Sequence, residues 1–200
     1  MGTIFSWIIL ILTVSVSLFA WNKGDGFLRG LMLNPYTIIR KKTYWQMFTS
    51  GLIHADYTHL LFNMMTFYFF AFPLEQIMGS LPFLTVYILG LLLSDLPTIV
   101  KHKDNPHYYS LGASGAVSAV LFGYILFDPL TKLYIFFIPI GIPAWLFGGL
   151  YLIYSAYAAK QSRGHINHDA HFYGAVTGLI VTIIFYPKVI GHFIQSILGA

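Results

Sequence analysis

Three groups of polar residues stand in an otherwise apolar chain, and their types are those that serine hydrolysis needs. The first is Ser114 in "GASGA", residues 112–116, set between Gly112 and Gly115 at the head of an apolar run ending at Phe127. A serine in the first turn of a helix sits among unpaired backbone N–H groups and at the positive end of the helix dipole, which favours developing negative charge. It serves equally well as an N-cap among small residues that let helices approach closely. The stretch also departs from the G-x-S-x-G of soluble hydrolases, because position 116 is Ala. The second group is "HDAHFYGAVTG", residues 168–178, in which His171, Gly174 and Gly178 fall at i, i+3 and i+7 on one helix face. Gly174-x-x-x-Gly178 is a close-packing motif, so the neighbouring helix meets His171 one turn above the contact. If that neighbour carries Ser114, imidazole meets hydroxyl; otherwise His171 is an interfacial group near a helix end. The third is "HADYTHLLFN", residues 54–63, which places His59 and Asn63 on one face with His54 just before the helix. An asparagine inside a span needs partners, either an interhelical hydrogen bond or, with His59, the role of oxyanion donor.

The elements that must position these residues are membrane helices. The chain of 200 residues is 57% hydrophobic, and only 9% of it is charged, against roughly 25% in ordinary soluble proteins. Charge-free runs cover residues 3–22, 57–74, 76–94, 105–127, 133–159 and 170–187. Each approaches the length of about 20 residues that a bilayer span needs. The fold class expected is therefore an all-α polytopic membrane protein of six spans, with helices near 3–21, 58–77, 81–100, 114–127, 133–159 and 170–190. The first run lacks a basic n-region and a small-residue cleavage site, so it reads as a retained helix. Residues 22–57 form a long first connection whose Trp45, Phe48, Leu52 and Ile53 suit short helices lying on the membrane. The run from Ser114 to Phe127 reaches only about 21 Å at 1.5 Å per residue, too short for a hydrocarbon core of about 30 Å. Its start should therefore lie below the membrane surface, where irregular backbone requires surrounding protein or a water-filled cavity. Pro139 and Pro143 should interrupt the fifth helix.

Nine of the eleven basic residues fall on the side of the first, third and fifth connections, which the positive-inside rule assigns to the cytosol. The formal net charge of +4 suits contact with an anionic lipid surface and implies no nucleic-acid partner. Cysteine is absent, which excludes thiolate chemistry and disulfides. Glu75 and Asp128 close helices on the side away from Ser114 and read as capping or pairing groups. Asp169 is two residues from His171, and i and i+2 face apart on a helix.

In their order along the second, fourth and sixth spans, His54-x4-His59-x3-Asn63, Gly112-Ala113-Ser114-Gly115 and Ala170-His171-x2-Gly174-x3-Gly178 resemble the rhomboid family of intramembrane serine proteases. The resemblance covers about residues 40–185 and implies a single six-helix rhomboid-like domain over 1–200 with a Ser-His dyad in a cavity below the membrane surface. It implies Ser114 as nucleophile, His171 as general base, and His59 and Asn63 with the Ser114 N–H as oxyanion donors. His54, Gly112, Gly115, Gly174 and Gly178 would support them. No cofactor or metal is implied, and the expected partners are transmembrane protein substrates and the lipid bilayer. The expected location is a bacterial inner membrane with the site open to the non-cytoplasmic side, against the basic-residue count. Two positions depart from the family pattern: Trp45-Gln46 stands where Trp-Arg is frequent, and Ser118 where an aromatic often packs on the histidine. Entry of substrate past the fifth helix is the expected route. Two other readings stand beside this one. One is a catalytically inactive relative acting as a membrane chaperone. The other is a histidine-based metal transporter, for which His165, His168 and His171 have helical spacing but no H-E-x-x-H accompanies them.

Overall fold

The computed structural model describes residues 2–134, 140–161 and 167–199. The first helix, α1 (Ile4–Lys23), is followed by three short helices, α2 (Asp25–Leu31), α3 (Pro35–Lys41) and α4 (Gln46–Thr49), and a 3-10 turn (Ser50–Leu52). Then come α5 (Tyr57–Met78), α6 (Ser80–His102), α7 (Ser114–Phe127), α8 (Ala144–Gln161), α9 (His168–Phe185) and α10 (Val189–Leu198). Among the described residues two helices, α1 and α6, are each long and apolar enough to cross a membrane, and α9 with α10 would make a third if that bent pair is one span.

Helix α7 lies at the centre, and its residues 115–123 are all buried. It is enclosed by α5, α6 and α9, with Leu121, Phe122 and Ile125 packed on α8 and α10. Helix α1 is pinned to the far end of α5 by Glu75. That carboxylate accepts from Phe5 N (3.1 Å), Ser6 N (2.8 Å), Ser6 Oγ (2.7 Å) and Ser80 Oγ (2.7 Å). It thus covers the orphan N–H groups of α1, as an anion at a helix N-terminus should. Asp128 accepts from Tyr124 Oη, Thr131 N and Thr131 Oγ, and closes the turn after α7.

Two expected helices are shorter than the sequence suggested. The fifth begins at Ala144 rather than near 133, because residues 132–134 and 141–143 pair as an antiparallel hairpin, Lys132 opposite Pro143 and Tyr134 opposite Gly141. Proline disfavours the α conformation in the residue before it, so Pro143 marks a helix start instead of a break inside one; Pro139 lies outside the described residues. The sixth ends at Phe185, and α10 leaves it at 110°. Pro187 sits in the bend and supplies no N–H to continue the ladder.

The first connection is fastened to the loop before α7. Leu33 and Ser110 exchange both backbone hydrogen bonds (2.9 and 3.0 Å), and Gly112 N donates to Ser50 O (2.9 Å). Asn34 caps α3 by accepting from Thr37 N and donates from Nδ2 to the carbonyls of Pro106 and Tyr108. Gln46 takes the anchoring position without charge: Oε1 accepts from Asn34 N, Thr37 Oγ1 and Thr43 Oγ1, and Nε2 donates to Gly30 O.

Candidate active site

A cavity of about 600 Å³ is lined by Ser114, His171, His59 and Asn63 together, with Asp95, Tyr151 and Asn167 also on its wall. The four residues come from α5, α7 and α9, and small residues are what let these helices converge. A Cβ at Gly174 would overlap the Gly115 carbonyl, and one at Gly178 would lie 2.6 Å from Ala119 Cα. The face carrying His171 is therefore pressed on α7 by backbone contact, and His171 stands one turn above Gly174, level with the start of α7. The tight approach expected of the glycine pair is made to the helix that begins with Ser114.

Gly112 serves a different contact. Its φ is +114°, a left-handed conformation that disfavours side chains, and a Cβ there would lie 2.7 Å from His59 Cε1. The loop thus presses its bare backbone on the His59 ring two residues before Ser114. Asp56 caps α5 by accepting from His59 N (2.7 Å), and Asn63 Nδ2 donates to His59 O (3.0 Å). That bond uses one of the two amide hydrogens of Asn63, and the other remains for the cavity.

His54 is fully buried and stands behind this group. Its Nδ1 meets Ser17 Oγ at 3.1 Å, its Nε2 accepts from Ala113 N at 3.4 Å, and Trp21 Nε1 donates to its carbonyl at 2.8 Å. Because Nε2 accepts, Nδ1 carries the proton and donates to Ser17, which donates in turn to Leu52 O (3.0 Å). Burial, and the charge of nearby His59, lower the His54 pKa to about 3 against the opposing pull of Asp56. The ring is a neutral brace between α1 and the residue preceding Ser114.

His171 is held from α8. The Tyr151 ring lies nearly parallel to the imidazole, with centroids 6.2 Å apart and planes 17° apart. Tyr151 Oη pairs with Ser118 Oγ at 3.1 Å. The small residue on α7 at position 118 leaves room for a ring from another helix, and its hydroxyl fixes that ring. No hydrogen bond joins Ser114 to His171 among the described residues. Asp169 pairs with Lys101 at 3.0 Å, on the other side of α9 from the imidazole contact. Asn167 caps α9 by accepting from Ala170 N and donates to Thr98 Oγ1 and Ser110 Oγ, tying α9 to α6 and to the loop before α7.

Sequence reasoning missed Tyr151, Asn167 and Asp95. Asn167 had the signature of a cap, an Asn at the head of an apolar-periodic segment. Asp95 had a plainer signal, as the one acidic residue within the apolar stretch 81–100. Tyr151 had none, since one tyrosine on an apolar helix carries no mark of its neighbour. Among the described residues, no three His, Asp or Glu side chains are grouped to hold a metal ion, and His165 lies outside them.

Residues 41–188 match the model of the Rhomboid domain. The chain is 32% identical over 147 residues to the putative rhomboid protease YdcA of Bacillus subtilis, covering 72% of this chain and 69% of that protein. It is 27% identical over 136 residues to the rhomboid protease GlpG of Haemophilus influenzae, covering 68% of this chain and 67% of that one. It is also 29% identical over 148 residues to the mitochondrial RHOMBOID-like protein 12 of Arabidopsis thaliana, covering 66% of this chain and only 44% of the plant protein.

Proposed function

Since the chain belongs to the rhomboid family of membrane proteins, we propose that it is an intramembrane serine endopeptidase working through Ser114 and His171. Its apolar helices and its relatives make it an integral membrane protein; the reaction and its residues are the proposal. The observation that carries it is the convergence of Ser114, His171, His59 and Asn63 on one cavity, with backbone contact of Gly174 on Gly115 setting the approach.

In this reading His171 removes the Ser114 proton as Oγ attacks the scissile carbonyl. A hydroxyl is a weak nucleophile until a base within reach takes that proton. Both residues line one cavity, and their hydrogen bond forms as substrate closes the site, in the way catalytic hydrogen bonds commonly do. The carbonyl oxygen becomes an oxyanion that accepts from the Ser114 N–H, the second Asn63 amide hydrogen and His59 Nε2–H. His171 then gives its proton to the leaving amine, leaving an acyl ester on Ser114. Water entering the cavity attacks that ester, with His171 again as base, and releases the carboxylic acid. The substrate is a transmembrane segment locally unwound near the cut, because an intact helix keeps its carbonyls hydrogen-bonded.

The whole chain acts here as one membrane domain of six spans, in a bacterial inner membrane, with the cavity open to the non-cytoplasmic side. The test is cleavage of a single-span substrate in proteoliposomes by the parent, Ser114→Ala and His171→Ala, with a fluorophosphonate label as second readout. The expected result is cleavage and labelling at Ser114 by the parent, and a loss of about 10²–10⁴-fold or more in either variant. A folded parent that neither cuts nor labels would overturn the reading in favour of an inactive family member.

A further inference from the structure

Asp95 lies on the wall of the cavity that holds Ser114 and His171, and the residue is 8% exposed. Its neighbour Ser94 packs directly on Gly115, so this turn of α6 stands against the first turn of α7. Among the described residues the Asp95 carboxyl has neither a hydrogen bond nor an ion pair. Three basic groups at this end of α6 are engaged elsewhere. Lys101 binds Asp169 and the Ala159 carbonyl, Arg40 binds Asp104, and His102 stacks on Tyr108. A carboxyl so deeply placed without a partner is costly in a protein interior and more so at membrane depth. Every other acidic group facing the interior has one: Glu75 has Ser6 and Ser80, Asp128 has Tyr124 and Thr131, and Asp169 has Lys101. A partner that arrives with the substrate would satisfy it.

We propose that Asp95 forms a subsite for a basic side chain, Lys or Arg, carried by the substrate next to its scissile bond, an inference that rests on the protease reading above. Lys and Arg suit such a site because their apolar stems lie along cavity walls while the charged head seeks an anion. The neighbouring wall offers Leu91, Val117 and Leu121 for the stem. An Arg head can engage a carboxylate through two N–H groups, and a Lys head through one. Two carboxylates line the cavity; Asp56 is engaged by His59 N, which leaves Asp95 as the one to select for positive charge.

The experiment uses the full chain in nanodiscs and fluorescent single-span peptides that differ at one residue flanking the scissile bond: Lys, Arg, Gln or Met. Binding is read by anisotropy on Ser114→Ala, which cannot turn the peptides over, with Asp95 intact and as Asp95→Asn. Cleavage by the Ser114 enzyme is read in parallel with the same peptides. The expected result is about tenfold tighter binding of the Lys and Arg peptides than of the Met peptide, a preference abolished by Asp95→Asn and matched in relative cleavage. Equal binding of Lys and Met, a Lys preference that survives Asp95→Asn, or Gln binding as tightly as Lys would each overturn it. Binding preference without any cleavage leaves the subsite standing and removes the protease reading; cleavage without preference does the reverse.

Discussion

His54 is a buried imidazole whose two nitrogens are committed to Ser17 and Ala113, and its neutrality has a measurable consequence. Its pKa falls from 6.5 to about 3 on folding. Above pH 6.5 both states hold the ring neutral; below it the unfolded chain takes up a proton that the folded chain refuses. Stability should therefore fall by about 1.4 kcal/mol per pH unit as pH drops from about 6.5 toward about 3. Thermal unfolding in detergent at pH 6.5 and pH 5 is expected to lose less in His54→Gln than in the parent, and equal losses would sink this assignment. Tyr151 is the other residue whose role is purely positional. Tyr151→Phe keeps the ring over His171 and loses the bond to Ser118, whereas Tyr151→Leu removes the plane stacked on the imidazole. We expect kcat near the parent value for Phe and about five- to tenfold lower for Leu with little change in KM, from the usual worth of an aromatic contact. Equal kcat in the two variants would show that the ring does not orient the imidazole.

At the level of elements, the contact of α7 with α9 sets the geometry and Glu75 sets the place of α1. Gly178→Leu drives a side chain into the Ala119 backbone, where nothing flexible can yield. Overpacking of this kind costs about 1–3 kcal/mol, and it should also lower cleavage because His171 moves off with its helix. Fluorophosphonate labelling and thermal unfolding of the same sample check both effects. Glu75→Gln removes the charge that gathers Phe5, Ser6 and Ser80. A loss of about 2 kcal/mol is expected from weakening charged hydrogen bonds, read as a lower unfolding temperature with Ser114 labelling retained at low temperature. The helix boundaries were partly legible for the same local reasons. The short run from Ser114 to Phe127 coincides with α7, and the start expected near 58 lies one residue from Tyr57. The hairpin before α8 and the bend at Pro187 depend on pairing and packing that apolar composition does not reveal.

For the whole molecule, the basic residues and the proposed topology predict opposite orientations. The absence of cysteine allows a clean assay with a single thiol at Asn105→Cys, in the exposed loop between α6 and α7 on the Ser114 side. A membrane-impermeant maleimide should label intact spheroplasts if the cavity opens outward. Labelling only after lysis would place the site in the cytosol. The first connection bears on this conflict, because it is folded onto the loop before Ser114 through Leu33, Asn34 and Ser50. A segment that folds against the bundle is a poorer guide to orientation than a short free loop, where the positive-inside rule is strongest.

The sequence by itself determined that this chain is an apolar helical protein and which residue types could do chemistry in it. Charge-free runs, glycine spacing and the order of Ser114, His171, His59 and Asn63 are local properties, readable one segment at a time. Only the tertiary structure decided who meets whom. Glycine spacing says that a face is close-packed, but helices that are apolar all round do not say against which partner. Hence the contact of Gly174 with Gly115, the brace from α1 through His54, the ring of Tyr151 over His171 and the unpartnered Asp95 on the cavity wall had to be seen in three dimensions.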